Sequence, residues 1–388
     1  MRGHIRKYEG KRGTSWMVVY YLGYDDSGRK RYTTKRGFKT KREAEQYLSE
    51  VTKALHEGTH VEPSRQTLES YLRSWLADKQ TQIRPGTWRS YSWLVERHVI
   101  PRIGHLQLGK LRPSHLQKLY TEMQSGDEPL SKQSVLNAHR ILHQALDRAV
   151  KWGHVPRNVA DAVDPPKPQR QEMRVWNEDE LNTFLDTARS SRYHTAFVLL
   201  SSTGMRVGEL LALRWDSVDL DAGILRVVRA YSYTGKGYRL EEPKTDAGRR
   251  SITLPPSVTE LLRRHRTVQA QERLRAGSLW ENHDLVICTT LGRPVLQHNL
   301  RMLFQRLIRT AGLPRIRLHD LRHTHATILL KRGVHPKVVQ ERLGHSDISV
   351  TLNTYSHVVP GLQAAAAKAI DSIFATPPKN ISGHEDCQ

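Results

Sequence analysis

Six residues in the C-terminal half of the chain have the chemistry to break a phosphodiester bond by nucleophilic attack. They are two arginines, a lysine, two histidines and a tyrosine: Arg206, Lys244, His319, Arg322, His345 and Tyr355. A guanidinium group stays ionised and forms planar, bidentate hydrogen bonds to phosphate oxygens. Arg206 and Arg322 are therefore our candidates for stabilising the charge that develops on the non-bridging oxygens in the transition state.

Attack by a phenol also requires groups that accept and donate protons. The pKa of an unperturbed tyrosine is ~10, so Tyr355 must lose its proton as it attacks phosphorus. His319 can accept that proton, and Lys244, at the end of a flexible side chain, can protonate the leaving 5′ oxygen. His345 can bind the phosphate or the incoming phenol. A covalent phosphotyrosine conserves the bond energy, so this chemistry needs no ATP.

Other interpretations of the same residues are weaker. His319 and His323 have the spacing of a helical zinc pair, but the glutamate of the metalloprotease pattern is missing and Arg322 stands beside them. No Gly-x-x-x-x-Gly-Lys-Ser/Thr loop for nucleotide phosphates occurs. We therefore expect neither a metal nor a cofactor. The chain has 14 tyrosines, so Tyr355 is a candidate only because the other five positions accompany it.

The composition indicates a polyanionic partner. The chain has 388 residues, enough for two or three domains, and a formal net charge of +22. The basic excess is spread along the whole chain, which favours a polyanion that contacts every domain over a basic tail that acts as a tether. The only two cysteines, Cys288 and Cys387, lie far apart, which excludes a disulfide framework and a cysteine-based zinc finger.

No membrane association is expected. No apolar run approaches the ~18 residues that a spanning helix needs, and the N-terminal residues lack the apolar region of a secretory signal. The expected location is a reducing cytosol, that of a bacterial host, in association with the nucleoid.

The chain divides into three segments that must position these residues. The sequence of the first segment, residues 1–62, predicts a small sheet with one helix. The β-prone runs are Ile5–Tyr8, Trp16–Tyr21 and Arg31–Thr34. A capping box then opens a helix that ends near Glu57. Basic residues cluster at the second hairpin, and a β-ribbon of this width can enter a DNA major groove. A solvated charged face is the alternative interpretation of that cluster.

The second segment, residues 63–163, predicts a helical bundle. Apolar residues repeat with helical spacing, and Pro85 stands where the start of a helix tolerates proline. The four expected helices are Leu68–Lys79, Thr87–Val99, Pro113–Gln124 and Ser131–Trp152. Residues 164–172 are rich in proline and charge, and we expect them to form a linker.

The third segment, residues 173–375, predicts a mixture of helices and strands. A helix is expected to begin at Asn177, and the apolar helix Tyr193–Ser202 leads to Gly204. The expected strands are Ile224–Arg229, Arg239–Glu242 and Arg250–Leu254. The last two flank a polar turn that contains Lys244.

The segments together define the expected fold class, which is α+β and multidomain. It comprises a small three-stranded β-sheet plus helix, then a helical bundle, then a mainly α catalytic domain with a small β-sheet. The last predicted helix is Leu362–Phe374, which is apolar and rich in alanine. Residues 376–388 are expected to form a disordered tail.

The motifs of the third segment resemble those of the tyrosine recombinases, in particular the integrases of phages and conjugative transposons. The matching stretches, in the family's order, are Thr203–Leu210 (TGMRVGEL), His319–His323 (HDLRH), Leu343–Ser346 (LGHS) and Tyr355. The resemblance implies Arg206 and Arg322 as a phosphate clamp and Lys244 as a general acid on a β-hairpin. It also implies His319 as the acid–base histidine and His345 as a supporting imidazole. Tyr355 is then the nucleophile that forms a 3′-phosphotyrosine, and Glu209 an acidic residue that orients the site.

The same resemblance implies roles for the other segments. The helical bundle resembles a core-binding domain, and the first segment resembles the arm-binding domain that simpler recombinases of the Xer type lack. The implied partners are double-stranded DNA with core-type and arm-type sites, DNA-bending proteins and directionality proteins. A homotetramer on DNA is implied as well, with Leu362–Phe374 docking onto an adjacent protomer.

The leading hypothesis is a site-specific integrase that cleaves and rejoins duplex DNA, integrating and excising a mobile element such as a viral genome. A topoisomerase of type IB or an Xer-like resolving recombinase would share the chemistry. The alternative from another class is a non-catalytic DNA-binding regulator on the same scaffold. That regulator predicts the loss of at least one of the six positions, and all six are present.

Overall fold

A computed structural model describes residues 3–10, 13–24, 27–56, 65–125, 128–169, 173–233, 238–241 and 248–355, and residues 367, 368, 370, 371 and 374. The chain forms two compact units, Met1–Arg170 and Gln171–Gln388. Lys244, most of the predicted helix Leu362–Phe374 and the predicted tail lie outside the described residues. The expectation of a mixed α and β multidomain fold is confirmed.

The N-terminal module of the first unit is an antiparallel sheet with one helix. Its elements are strands β1 (Gly3–Gly10), β2 (Gly13–Tyr24) and β3 (Lys30–Phe38), in the order β1-β2-β3, and helix α1 (Lys41–His56). Val18 and Tyr20, two residues apart on β2, point to the same face and pack with Ala44 and Val51 of α1. The predicted capping box forms with one partner shifted. The Glu43 amide donates to Thr40 Oγ1 at 3.2 Å, as expected, but Glu43 Oε2 accepts from the amide of Lys39 at 2.9 Å and not from that of Thr40.

The second part of this unit is the predicted helical bundle, with its own apolar core. Its helices are α2 (Leu68–Gln82), α3 (Pro85–Leu94), α4 (Ile100–Ile103), α5 (Pro113–Gln124) and α6 (Lys132–Lys151). The predicted helix Thr87–Val99 begins earlier, with Pro85 as its first residue, and widens into a π-helical turn at Val95–Val99. Pro101 explains this widening, because it has no N–H and its ring conflicts with the carbonyl of the preceding turn.

The described part of the second unit contains eight α-helices of at least five residues. They are α7 (Glu178–Thr187), α8 (His194–Thr203), α9 (Val207–Leu211), α10 (Pro256–Ala276), α11 (Gln297–Thr310), α12 (Asp320–Lys331), α13 (Pro336–Leu343) and α14 (Ile348–Tyr355). Trp176, Phe184, Phe197 and Phe304 form an aromatic cluster in this core. Among the described residues, no helix is long and apolar enough to cross a membrane.

The described strands of the second unit form two separate sheets, which corrects one expectation. Strands β4 (Val218–Asp219), β5 (Ile224–Val227) and β8 (Arg250–Thr253) form one sheet, and β6 (Ala230–Tyr233) and β7 (Tyr238–Glu241) form the other. The two strands expected to flank Lys244 are therefore not paired with each other. The reason is burial, since Leu225 of β5 lies opposite Ile252 of β8 and both side chains are buried. The hairpin β6–β7, which the sequence did not predict, has the shorter loop to close.

Candidate active site

Arg206 is positioned by a sharp change of direction between α8 and α9. Helix α8 ends at Gly204, whose φ of 66° lies in the left-handed region that favours glycine. Arg206 then caps α9, where its backbone N–H and its Nη1 donate to the two carboxylate oxygens of Glu209, each at 2.8 Å. The Arg206 side chain remains 43% exposed. A fixed guanidinium that is open to solvent is suited to bind a phosphate from outside.

Glu209 also pairs with a second arginine that the sequence analysis did not select. Arg250 Nη2 donates to Glu209 Oε2 at 2.9 Å, and its Nε donates to the Arg342 carbonyl at 2.6 Å. Burial by itself raises the pKa of Glu209, but the charges of Arg250 and Arg206 outweigh it, so that the pKa lies below its usual range. Glu209 is therefore an ionised, buried carboxylate between two guanidiniums.

Arg322 is the most enclosed charge of the site, at 3% exposure. Its Nη1 donates to the Gly204 carbonyl and its Nη2 to the Leu343 carbonyl, both at 2.7 Å. Burial, followed by the charge of Arg206, lowers the pKa of Arg322 to about 9. The guanidinium therefore remains protonated at neutral pH, with its plane set by two backbone carbonyls.

Two predicted histidines lie near this guanidinium. His319 directly precedes α12, and the residue as a whole is exposed. Its ring is nevertheless partly desolvated, and this desolvation, followed by the charge of Arg322, lowers the pKa of the imidazole. His345 Nδ1 lies 2.8 Å from Thr351 Oγ1. Burial, then Arg322 and Arg206, lower the pKa of His345 to about 4. Both imidazoles are therefore neutral at physiological pH, and His345 can accept from Thr351 while its Nε2–H donates to a ligand.

Tyr355 is the last residue of α14, and its side chain is 2% exposed. Burial raises the pKa of its phenol to about 12, although the charge of Arg322 opposes this effect. The phenol oxygen lies 2.6 Å from Nδ1 of His323, a residue that the sequence suggested as half of a zinc pair or as a local capping group but not as part of the active site. A phenol with so high a pKa needs an adjacent proton acceptor to act as the predicted nucleophile.

The structure thus brings five of the six predicted residues together around Arg322. Arg206, His319, His345 and Tyr355 all lie close enough to interact electrostatically with this guanidinium. The position of Lys244 lies outside the described residues. His323 and Arg250 also belong to this group, although neither was predicted as a site residue. The spacing of His323, one helical turn after His319, was a signal for a shared site, whereas nothing in the sequence distinguishes Arg250 from adjacent arginines.

The site has the donor set of an anion-binding pocket. Among the described residues, no group of three or more His, Cys, Asp or Glu side chains is arranged to hold a metal ion. Beside the site, a groove of about 750 Å³ is lined by several basic side chains, Arg174, Arg301, Arg315 and Arg317, and by Asp320. Such a groove favours a phosphate backbone next to the site.

Three family models match successive parts of the chain. They describe an arm DNA-binding domain (residues 4–55), an N-terminal SAM-like domain of phage integrases (residues 67–124) and the phage integrase family (residues 174–360). Together they follow the order of segments that the sequence predicts.

Curated relatives match over almost the whole chain. A XerC-like tyrosine recombinase of Caldanaerobacter subterraneus subsp. tengcongensis is 28% identical, over 92% of this chain and 96% of its own length. An integrase of Streptomyces ambofaciens is 29% identical, over 94% of each chain. The Tn1549 transposon integrase, solved in complex with transposon right-end DNA, shares the fold with a TM-score of 0.67 at 21% identity, over 80% of this chain and all of that one. The chain therefore belongs to the phage integrase family of tyrosine recombinases, enzymes that cleave and rejoin DNA.

Proposed function

We propose that this protein is a site-specific integrase that cleaves and rejoins duplex DNA through a 3′-phosphotyrosine at Tyr355, integrating and excising a mobile element. The observation that supports this most directly is the position of Tyr355 beside the enclosed cation Arg322, which in turn lies near the partly exposed cation Arg206. Two arginines next to a phenol can hold a phosphodiester and neutralise the charge of its transition state. The breadth of the family matches, which cover all three segments, adds to this support.

The proposed roles follow from what each side chain can reach. Arg206 and Arg322 bind the non-bridging oxygens, since an arginine has five N–H donors and two carbonyl contacts leave others for phosphate. His319, exposed at the start of α12, is an acid–base group that faces the DNA. His345 donates a hydrogen bond to the phosphate from its Nε2. Lys244 is the general acid that protonates the leaving 5′ oxygen.

The proposed division of labour assigns one DNA contact to each segment. Residues 1–62 bind arm-type sites, and residues 63–163 bind core-type sites. Residues 164–172 link these two parts to the catalytic domain, which comprises residues 173–375. Residues 376–388 form a tail. The separate apolar cores of the three folded parts support this division. We further propose a homotetramer on DNA, assisted by DNA-bending and directionality proteins, in a bacterial cytosol.

The test is a covalent-adduct assay with a nicked duplex that carries the attachment site, which sequencing of the element's junctions identifies. After cleavage the short 3′ fragment dissociates, so the phosphotyrosine accumulates and is counted on a denaturing gel. The wild-type chain is expected to form the adduct, and Tyr355→Phe is expected to form none.

A matched control separates chemistry from folding. Tyr120 is also buried and also lies beside a histidine, with 3.0 Å between its oxygen and His139 Nδ1, but it belongs to the helical bundle. Tyr120→Phe should therefore leave the adduct intact. An adduct of undiminished yield with Tyr355→Phe, or no adduct with the wild-type chain, would refute the proposed function.

A further inference from the structure

The hydroxyl of the proposed nucleophile is bound by a histidine other than the one that the family resemblance assigns to proton transfer. His323 Nδ1 lies 2.6 Å from the Tyr355 oxygen, and the two ring centroids are 5.8 Å apart. His319 instead contacts His323, edge to face, with 5.3 Å between ring centroids. Among the described residues, His323 is thus the imidazole in direct hydrogen-bonding contact with the reacting oxygen.

The elements make this contact a fixed one. His323 lies in the first turns of α12, and Tyr355 ends α14, where it packs with Ala326 and Leu330 of α12 in a small apolar cluster that also contains Val339 and Leu343. The phenol of Tyr355 is held in a single orientation by apolar packing on one side of its ring and by the His323 imidazole at its oxygen. A base held within hydrogen-bonding distance is the first requirement for proton transfer.

We propose that His323 accepts the phenol proton of Tyr355 during strand cleavage and returns it during rejoining. The proposal rests on the proposed function, since it names the proton acceptor for that same nucleophile. His319, which is exposed at the start of α12, is then left to act at the phosphate.

With the imidazole proton on Nε2, the Tyr355 hydroxyl donates to Nδ1. As the phenol oxygen bonds to phosphorus, its O–H bond breaks and Nδ1 takes the proton, while the bond between phosphorus and the 5′ oxygen breaks and a general acid, Lys244 in the proposed function, protonates that oxygen. In rejoining, the 5′ hydroxyl returns its proton to the deprotonated general acid as its oxygen bonds to phosphorus. The bond between phosphorus and the tyrosine oxygen breaks, and the imidazolium returns its proton to that oxygen.

Burial and the groups that face His323 keep its ring neutral, so that Nδ1 can take up a proton. They come from α12 itself (His319, Asp320 and Arg322), from the loop before it (Arg317), from α14 (Tyr355) and from the loop after α13 (His345). Desolvation of the ring and then His319 lower its pKa to about 4, so it is neutral across the physiological range. The negative charge that builds up on the attacked phosphate raises the proton affinity of the adjacent ring as the proton moves.

The test is the pH dependence of single-turnover cleavage by the full chain between about pH 5.5 and 9, in a range chosen because unperturbed histidine titrates near ~6.5. The duplex carries sulfur in place of the 5′ bridging oxygen at the cleavage site. A thiolate leaves without an acid, so the rate reports on the tyrosine proton and not on Lys244.

The decisive variant is His323→Asn, because its amide oxygen can replace Nδ1 as a hydrogen-bond acceptor but cannot take up a proton at these pH values. We expect a nearly pH-independent rate for the wild type. For His323→Asn we expect a loss of roughly 100-fold near neutral pH and a rate that rises about tenfold per pH unit, because the phenol must then ionise by itself. For His323→Ala, added imidazole should restore part of the rate.

The matched variant is His319→Asn, one turn earlier on the same side of α12. It is expected to cleave more slowly but to keep the flat pH profile of the wild type. If His323→Asn keeps the wild-type rate and the wild-type pH profile, His323 only positions the phenol and the inference is overturned. The inference is also overturned if His319→Asn, and not His323→Asn, shows a rate that rises with hydroxide concentration. Each of these results leaves the proposed function intact, whereas a wild-type chain that forms no adduct refutes the function itself.

Discussion

Glu209 illustrates at the scale of one residue how the site holds its cations. Its side chain is 4% exposed and accepts from Arg206 and Arg250, and Arg250 is itself 6% exposed. A buried ion pair stabilises little relative to apolar packing, but removing one partner leaves an uncompensated buried charge. Glu209 therefore has two effects, since it neutralises Arg250 inside the protein and orients Arg206 at the surface.

The variant Glu209→Gln tests both effects. Without the carboxylate charge, Arg250 remains buried and unneutralised, so we expect the free energy of unfolding to fall by ~3–5 kcal/mol. The measurement is urea denaturation of the full chain, combined with the rate of adduct formation, which should also fall. The control is Glu260→Gln, which removes an exposed carboxylate paired with Arg264 at 2.9 Å. Exposed pairs contribute little, so equal stabilities of the two variants would contradict this role of Glu209.

At the scale of elements, the ends of two helices explain how Arg322 is buried although none of its hydrogen-bond partners among the described residues is a carboxylate. Its two acceptors are the carbonyls of Gly204, which caps the C-terminus of α8, and of Leu343, the last residue of α13. The last carbonyls of a helix have no partner within it and lie at the negative end of its dipole. Two helix C-termini that converge on one guanidinium therefore replace the missing anion.

Gly204 is the element-scale residue whose change should disturb this arrangement most. A Cβ at Gly204 would lie 2.7 Å from His325 Cδ2 and 2.7 Å from Leu343 Cδ2. Gly204→Ala should therefore lose ~1–2 kcal/mol from the left-handed backbone and a further ~1–3 kcal/mol from overpacking. It should also slow cleavage, because the carbonyl that holds Arg322 shifts.

The control for this variant is Gly223→Ala, since Gly223 has a similar φ of 64° but its nearest atom to a new Cβ is Thr259 Oγ1 at 3.6 Å. Denaturation of both variants isolates the packing effect, because they share the backbone strain. If Gly204→Ala unfolds no more easily than Gly223→Ala and cleaves at the wild-type rate, then the tight packing around Gly204 does not set the position of the carbonyl that binds Arg322.

At the scale of the whole molecule, the net charge of +22 and the three apolar cores predict several independent contacts with DNA. Each phosphate that a basic side chain neutralises releases a counterion, so affinity falls with salt in proportion to the number of contacts. A chain with basic residues in every segment should therefore show a steep salt dependence to which each segment contributes.

Removal of residues 1–62 tests this division. The truncated chain should still form the covalent adduct on a core-type duplex, because the bundle and the catalytic domain have their own cores. Integration between two sites should fall strongly, and binding to an arm-type duplex, measured by fluorescence anisotropy over a salt series, should weaken and show a shallower slope. Unchanged integration by the truncated chain would exclude an arm-binding role for this segment.

Short-range physics made many elements predictable from the sequence. The capping box at Thr40, the helix start at Pro85 and the alternation of Val18 and Tyr20 involve residues a few positions apart, so local preferences suffice to determine them. The six candidate residues could likewise be selected by type and order, since the reaction requires two fixed cations, proton carriers and a nucleophile.

Which of these groups are in contact depends on the tertiary fold. The pairing of β8 with β5, the burial of Arg322 between two helix ends and the contact of His323 with Tyr355 join residues far apart in the chain. Such contacts depend on how apolar cores pack, and no local preference encodes them. Residue types and their order indicate the kind of chemistry, whereas the packing of α12 against α8, α13 and α14 brings His323, and not His319, to the Tyr355 oxygen.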